Sequence, residues 1–338
     1  MAERLSSKPT YNKRVTRIDW NGNMDMSVYT QDAPGEPTTY AGVFSSTTLR
    51  CLKMIDTSRA HLAYPVKRAI RSLDYGPSAK VGIVFDRPWW RTDLVNPVTT
   101  GGLGHSDLTI RTCVYPSYNI GNDEGPHVLL VSYTWQQDAE RIGSLMCSTV
   151  EPGALDHKAT MADEARLVEL LCSDLARLHK VESETKTLEE LYEMIKGSYK
   201  DHYAHDWTHD SNTAGAFAFF KPQQFQNLWP QIITPSNDFI FIGEVASPHH
   251  AWVVGAIESA VVGVYQWLGM NRIGLAGVEA ALGVLKEGAK EKSGSDVSPF
   301  WGLPSWIPPE HADWIALLAT IRKEEILSKM GEEENAQR

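Results

Sequence analysis

Cysteine is scarce: Cys51, Cys113, Cys147 and Cys172 are the four in 338 residues, far apart and never in a C-x-x-C pair. That spacing offers neither a redox couple nor a cysteine-built metal centre. No apolar run approaches the roughly 20 residues that a bilayer-spanning helix needs. Positive charge is in the minority, 32 Lys and Arg against 42 Asp and Glu, and the net −10 sets aside nucleic acid and anionic membranes as main partners. No Asn-x-Ser/Thr sequon occurs, and Met1–Arg14 is polar and mixed in charge, unlike a signal peptide or an anchor. A cytoplasmic location is expected on these grounds. The pattern G-x-G-x-x-G is absent as well. Gly101-Gly102-Leu103-Gly104 is the nearest glycine cluster, and it leads into strand-like sequence rather than a helix. The turn that cradles a dinucleotide pyrophosphate therefore has no recognisable counterpart here.

What remains is an ordinary globular composition, 42% hydrophobic and 22% charged, in a chain long enough for two domains. Its most informative stretch is Phe239–Leu268, FIFIGEVASPHHAWVVGAIESAVVGVYQWL. Phe239–Ile242 is a short apolar run ending at Gly243, which reads as a buried strand. Glu244 and a polar loop follow. From Trp252 the apolar residues Val253, Ile257, Ala260, Val261, Val264 and Leu268 recur at helical spacing. Gly255, Ala256, Ser259 and Gly263 are small, so this helix can lie close to a neighbouring backbone or to a ligand. Its unpaired first-turn N–H groups and its dipole would favour a phosphate. A plain buried strand followed by a close-packed helix gives the same pattern.

Upstream, Val15–Ile18 and Met24–Val28 flank Asn21-Gly22-Asn23 and predict a β-hairpin. A third extended run, Tyr40–Ser46, is expected after a turn at Ala33–Pro37. Pro65–Leu73 reads as a helix, Ala79–Phe85 as a strand, and Thr109–Pro116 and Val128–Trp135 as two more strands. Asp163–Val181 carries Leu167, Val168, Leu171, Leu175 and Leu178 on one face, and Thr187–Glu190 opens a further helix through a capping box. His205 and His209, with Asp206 and Asp210 beside them, have the i,i+4 spacing of metal ligands on a helix. Helical support is weak and no third ligand is well spaced, so no metal is expected. A Lys/Glu/Gly/Ser linker over Lys286–Ser298 and a Trp/Pro-rich stretch precede an expected terminal helix with Trp314, Leu317, Leu318 and Ile321 on one side.

The segment GEVASPHHAWVVGAIESA resembles the C-terminal flavin signature of the flavin-containing amine oxidases, in their L-amino-acid oxidase branch. The resemblance implies that Gly243, Glu244 and the helix start at Val253, Val254 and Gly255 bind FAD, and that Trp252 walls the substrate cavity. The family motif has glycine before the tryptophan and after the serine, where this chain has Ala251 and Ala260. Other segments extend the likeness over about Tyr11–Leu268. Val15, in NKRVTRI, matches a valine that packs against adenine. The order helix, Tyr75-Gly76 turn, strand and Trp89-Trp90 pair matches the family, and Lys80 falls where a lysine holds a water near flavin N5. A solvated edge-strand lysine is the other reading of Lys80. Tyr115 matches a tyrosine that helps hold the substrate carboxylate, and it reads equally well as a core residue. HDWTHDSNTAGAFAFFKPQQF resembles the segment lining the catalytic cavity, with Phe217 in the pocket. Ala216 stands where monoamine oxidases carry the flavin-linking cysteine, so non-covalent FAD is implied.

The implied fold is α/β (α+β mixed). It comprises a partial FAD-binding domain over 11–50 and 228–268 without the N-terminal βαβ unit, a substrate domain over 51–227 with a mixed sheet and covering helices, and a tail over 269–338. The implied reaction is oxidation of an L-amino acid or related amine by FAD and O2, giving hydrogen peroxide, a 2-oxo acid and ammonia. The missing glycine turn makes the chain read as a split or shortened oxidase, expected to be nearly colourless alone, with a second chain carrying G-x-G-x-x-G, or a homo-oligomer, as its expected partner. A relative that has lost FAD and serves as a partner protein or a non-redox enzyme is the alternative. If the carry-over is sound, Lys80, Phe217 and Trp252 converge on one cavity.

Overall fold

A computed structural model of the chain describes residues 8–147, 164–180 and 185–271. The expected terminal helix at Trp314–Ile321 lies outside the described residues, as do both ends of the Asp163–Val181 segment. The fold is mixed α/β, in two compact units. One runs to Thr47, takes in Lys53–Ser72 and resumes at Lys221; the other comprises Thr48–Leu52 and Leu73–Phe220.

The first unit begins with an antiparallel meander of β1 (Val15–Gly22), β2 (Asp25–Thr30) and β3 (Ala33–Tyr40). The Pro/Gly-rich residues read as a turn are instead inside β3. That strand is at the sheet edge, where Gly35 and Pro37 do little harm because half its backbone faces solvent. A parallel pair, β4 (Val43–Ser45) with β12 (Phe239–Phe241), sets Phe239 against Val43. Asp238 ties this pair to the meander: its carboxylate accepts from Trp20 Nε1 at 3.1 Å and from the Met24 backbone N–H at 2.8 Å, across 218 residues of chain. Helix α2 (Tyr64–Ser72) also packs in this unit, against α7 (Gln224–Ile232). Residues 53–72 thus sit with the meander rather than with the substrate-domain residues beside them in sequence.

The second unit is built on a five-stranded sheet ordered β10-β6-β9-β8-β7, from β6 (Ser78–Phe85), β7 (Gly102–His105), β8 (Thr112–Tyr115), β9 (His127–Trp135) and β10 (Tyr199–Asp206). The pairs between its named strands are antiparallel, with one isolated parallel bridge between Arg111 and Tyr133. Between named strands among the described residues, the parallel pair is β4 with β12. Along β6 alternate residues Ala79, Val81, Ile83 and Phe85 are fully buried, as the two-residue period of a strand requires. They pack with Leu129, Val131, Trp89 and Trp90 under helices α5 (Ala165–Leu178) and α6 (Leu188–Ser198). Each such Leu, Ile or Val contributes about 1.5–3 kcal/mol on burial. The capping box at α6 is present: Glu190 N donates to Thr187 Oγ1 at 3.2 Å, and Thr187 N donates to Glu190 Oε2 at 2.7 Å. A small pair, β5 (Asp74–Gly76) with β11 (Phe217–Phe219), joins two motifs that lie far apart in sequence.

Candidate functional site

In the first unit, β12 is buried along its whole length and leads to Gly243, whose φ of 91° suits glycine. Ser259, nearly two turns into α8 (Val253–Met270), clasps this residue. Its hydroxyl accepts from Gly243 N at 2.7 Å and lies 2.8 Å from the carbonyls of Gly243 and Ala256, to one of which it donates. The close helix approach expected from the small residues is present. A Cβ on Gly263 would stand 2.6 Å from Ile242 Cγ2, and one on Gly255 would stand 2.6 Å from the His249 carbonyl oxygen and closer still to Ser247 Oγ.

The polar loop between strand and helix contains a 3₁₀ turn, Glu244–Ala246. Glu244 folds back over it: Oε1 accepts from Ala251 N at 3.0 Å and lies 3.3 Å from His250 Nδ1. Burial and the neighbouring His250 hold His249 below its usual imidazole value. Ala251 has φ 64°, a left-handed conformation that costs a non-glycine residue about 1–2 kcal/mol. Trp252 is the N-cap but supplies no side-chain hydrogen bond, and the ladder begins with Ala256 N donating to Trp252 O. The N–H groups of Val253, Val254 and Gly255 therefore have no intrahelical acceptor. Trp252 and Val253 are well exposed and Val254 half so. An uncapped helix end with small residues behind it is a cradle of the type that holds an anion, and it fits the pyrophosphate region of a flavin dinucleotide. Val15, at the head of β1, is half-buried opposite Thr30.

In the second unit, Lys80 is not on an edge. It pairs with His205 on one side and Tyr133 on the other, inside the sheet. The edge-lysine reading is thereby removed. Its side chain is half-buried, with Nζ 4.4 Å from the Tyr133 ring centre and 5.4 Å from that of Trp207. Such cation–π contacts hold an ammonium in place at about 0.5–2 kcal/mol without neutralising it. The rings continue in both directions. Tyr133 meets Trp135 at 5.6 Å, and Trp135 meets Phe217 at 6.1 Å; on the other side Trp207 meets His205 at 4.5 Å and His205 stacks on Tyr203 at 6.2 Å. Phe217 lies over Gly76, where a Cβ would stand 3.2 Å from the ring. The Tyr75-Gly76 turn and the GAF segment thus explain each other.

Lys80 and Phe217 are linked by this ring series, whereas Trp252 belongs to the other unit. Tyr115 is buried on the core side of the sheet, its hydroxyl 2.8 Å from His179 Nε2. His205 lies on a strand, so the i,i+4 ligand geometry does not arise; it sits 3.6 Å from Asp210, while His209 Nδ1 pairs with Asp206 at 2.6 Å. Burial raises the thiols of Cys113 to about 12 and Cys172 to about 11, which leaves both unreactive. Sequence reasoning missed Tyr133, Trp135, Tyr203 and Trp207. The alternation in VSYTW put Tyr133 and Trp135 on one face, but only the register showed that this is the face of Lys80.

Known proteins bear on both halves. The family profile described as "Flavin containing amine oxidoreductase" matches residues 1–262. L-amino-acid oxidase 4 of Hebeloma cylindrosporum is 37% identical over 269 residues, which is 76% of this chain and 39% of that protein. A putative L-amino-acid oxidase of Bacillus subtilis is 32% identical over 212 residues, 62% of this chain and 36% of that protein. Among solved structures, wild-type putrescine oxidase bound to putrescine matches with a TM-score of 0.52 at 18% identity, over 76% of this chain and 49% of that one, a likeness of fold. The chain thus spans less than half the length of these relatives. With a profile match over most of its length, the chain belongs to the flavin-containing amine oxidoreductases.

Proposed function

We propose that this chain supplies the substrate-facing part of an FAD-dependent oxidase acting on an L-amino acid or related amine, with FAD held non-covalently. The observation that carries the reading is the uncapped start of α8 beside Glu244, in a chain of this family. When bound, the flavin accepts two electrons from the substrate Cα–N unit and passes them to O2 as hydrogen peroxide, and the resulting imine hydrolyses to a 2-oxo acid and ammonia. The chain's own residues bind and orient. Gly243, Glu244, Val253, Val254 and Gly255 hold the cofactor's phosphate and ribityl region, and Val15 packs against its adenine. Trp252 in the first unit is an apolar wall for the substrate, and Phe217 is one in the second. Lys80, held in place by Tyr133 and Trp207, binds a water molecule at Nζ. Tyr115 supports the sheet through His179.

The ADP half of FAD requires a glycine turn that this sequence does not carry, so a second chain with a βαβ unit is the proposed partner. A single helix end contributes about 0.3–2 kcal/mol toward an anion, whereas micromolar binding needs about 8 kcal/mol. The isolated chain should therefore bind FAD weakly and purify almost colourless, and the added βαβ chain should give yellow, flavin-loaded protein. In that complex Lys80→Met should slow flavin reduction or reoxidation with flavin content unchanged. Absence of flavin loading under both conditions would refute the cofactor reading. Stoichiometric loading of the lone chain would refute the split.

A further inference from the structure

In a chain of net charge −10, helix α2 and the segment before it carry the opposite sign. Lys53–Ser72 holds Lys53, Arg59, Lys67, Arg68 and Arg71 against one acid, Asp56, which lies near Arg17 and Arg59. On α2 the buried side is Val66, Ala69 and Ile70, while Lys67, Arg68 and Arg71 are exposed together with Tyr64, which is 71% exposed. Spacings of three and four residues put Tyr64, Arg68 and Arg71 in one stripe about 10 Å long. Lys53 joins its end, where Nζ donates to the Arg71 carbonyl at 3.3 Å. Elsewhere arginines find aspartates, as Arg87 finds Asp93 and Arg111 finds Asp138. Lys67, Arg68 and Arg71 have no acidic partner among the described residues, Asp74 just past the helix included. The neighbouring helix α7 has no charged residue to neutralise them. Exposed Met54 lies beside Lys53, and arginine, tyrosine and methionine are side chains that interfaces favour.

The opposite charge collects in the second unit. Glu169, Ser173 and Ala176 of α5 and Leu188, Glu189 and Tyr192 of α6 line a cleft of about 270 Å³, with no cation among them. Burial, and after it the charges of Glu169, Cys172, Glu193 and Glu189, raises the Tyr192 phenol above its usual value, so the three carboxylates gather about this side chain. Glu169, Glu189 and Glu193 are exposed and have no ion-pair partner among the described residues, whereas Glu190 is engaged in the capping box. A carboxylate on each wall and an aromatic ring between them suit a guanidinium.

We propose that the α2 stripe of one copy docks on the α5–α6 cleft of a second copy, with Arg68 entering between Glu169 and Glu189. Charge complementarity selects this occupant. An unrelated acidic protein at α2 would leave the cleft idle, and a small cation in the cleft would leave the stripe idle. Each copy offers both patches, so the contact joins unlike surfaces and needs no other protein. Its residues belong neither to the cradle at α8 nor to the ring series at Lys80, so it stands apart from the flavin reading.

Sedimentation velocity on the full chain tests it in about 0.1 M and about 1 M NaCl, where the Debye length falls from about 10 Å to about 3 Å. The parent should sediment above the mass of one chain at the lower salt and as single chains at the higher. Arg68→Glu, and separately Glu169→Arg with Glu189→Arg, should each weaken association at least tenfold with an unchanged melting temperature. An equimolar mixture of these two variant chains should regain it, because opposite charges then face each other again. Single chains of the parent at both salts, association that survives 1 M NaCl, or a mixture that stays dissociated would each overturn the proposal. Binding of a hexaglutamate peptide that Arg68→Glu abolishes, in a parent that does not self-associate, would give the stripe to an acidic partner instead and overturn it too.

Discussion

Replacing Gly255 and Gly263 by alanine, one at a time, measures how closely α8 lies on the strand and loop beneath it. In an ordinary helix each change would stabilise by about 1 kcal/mol, because alanine has less backbone entropy to lose. Here each added methyl meets atoms already in place. At Gly263 the nearest are methyl ends, Ile242 Cγ2 at 2.6 Å and Ile240 Cγ2 at 3.1 Å, which can rotate aside. At Gly255 the obstacle is the His249 carbonyl oxygen at 2.6 Å, a backbone atom, together with Ser247 Oγ. Relief at Gly255 therefore requires the 3₁₀ loop to move. Overpacking costs about 1–3 kcal/mol, and rotamer relief puts Gly263 at the low end and Gly255 at the high end. After the helix gain is subtracted, Gly263→Ala should fall within about 1 kcal/mol of the parent, and Gly255→Ala should lose about 2 kcal/mol. Urea unfolding followed by tryptophan fluorescence reads both as midpoint shifts at constant slope. Two variants as stable as the parent, or a reversed order, would mean that α8 does not lie at this distance, and the cradle at its start would go with it.

Glu258, on the same helix, has a carboxyl oxygen buried without a hydrogen-bond partner among the described residues, and burial raises its pKa above the ordinary value near 4.5. Below that value the side chain is protonated in both folded and unfolded states and costs nothing; as pH rises through the raised folded value, the unfolded chain ionises more easily and stability is lost. Glu258→Gln should therefore raise the melting temperature at pH 7 and leave it unchanged near pH 4, and an equal gain at both pH values would reject the ionisation argument. Ala251→Gly should stabilise by up to about 1 kcal/mol, since glycine adopts the left-handed conformation at this position without strain; a loss measured by urea unfolding would show that the loop does not have this backbone. Tyr115→Phe should cost about 1 kcal/mol through the lost bond to His179 and leave flavin loading of the reconstituted complex unchanged, whereas a large rise in substrate KM would return Tyr115 to the substrate.

Strand, glycine and helix at Phe239–Leu268 were legible because each leaves a local mark: an apolar run, a break, a 3.6-residue period. The small residues at 255, 259 and 263 were legible for the same reason, and the structure gives them backbone to lie against. The Ala33–Pro37 tract was misread because proline and glycine speak of turns only when a strand must be paired on both sides. Edge position is a property of sheet order, and sheet order is non-local. At Lys80 it was the edge reading that failed, in the opposite sense: strand period located the residue, but only pairing with β9 and β10 put it in the interior. His205 and His209 looked like a helical pair because spacing carries no record of whether the backbone between is coiled. The aromatic series around Lys80 is assembled from residues 80, 133, 135, 207 and 217, a grouping that no window on the sequence contains.

The Asp238 carboxylate reaches back 218 residues to Trp20, and this has a consequence for how the chain is made. The meander is synthesised before its partners: the strand that β4 pairs with and the acid that anchors the hairpin come only after Leu73–Phe220 has been completed. At about 5–20 residues per second, those roughly 150 residues take about 7–30 s to translate. During that interval the first unit has an unpaired β4 and a Trp20 indole N–H without its acceptor, and contacts of such long sequence separation are slow to form even when both ends are present. The intervening unit, continuous from Leu73, can close first. Order of synthesis thus favours a folding intermediate with the five-stranded sheet formed and the meander waiting, the state in which chaperone binding or self-association would do most to set the yield of protein.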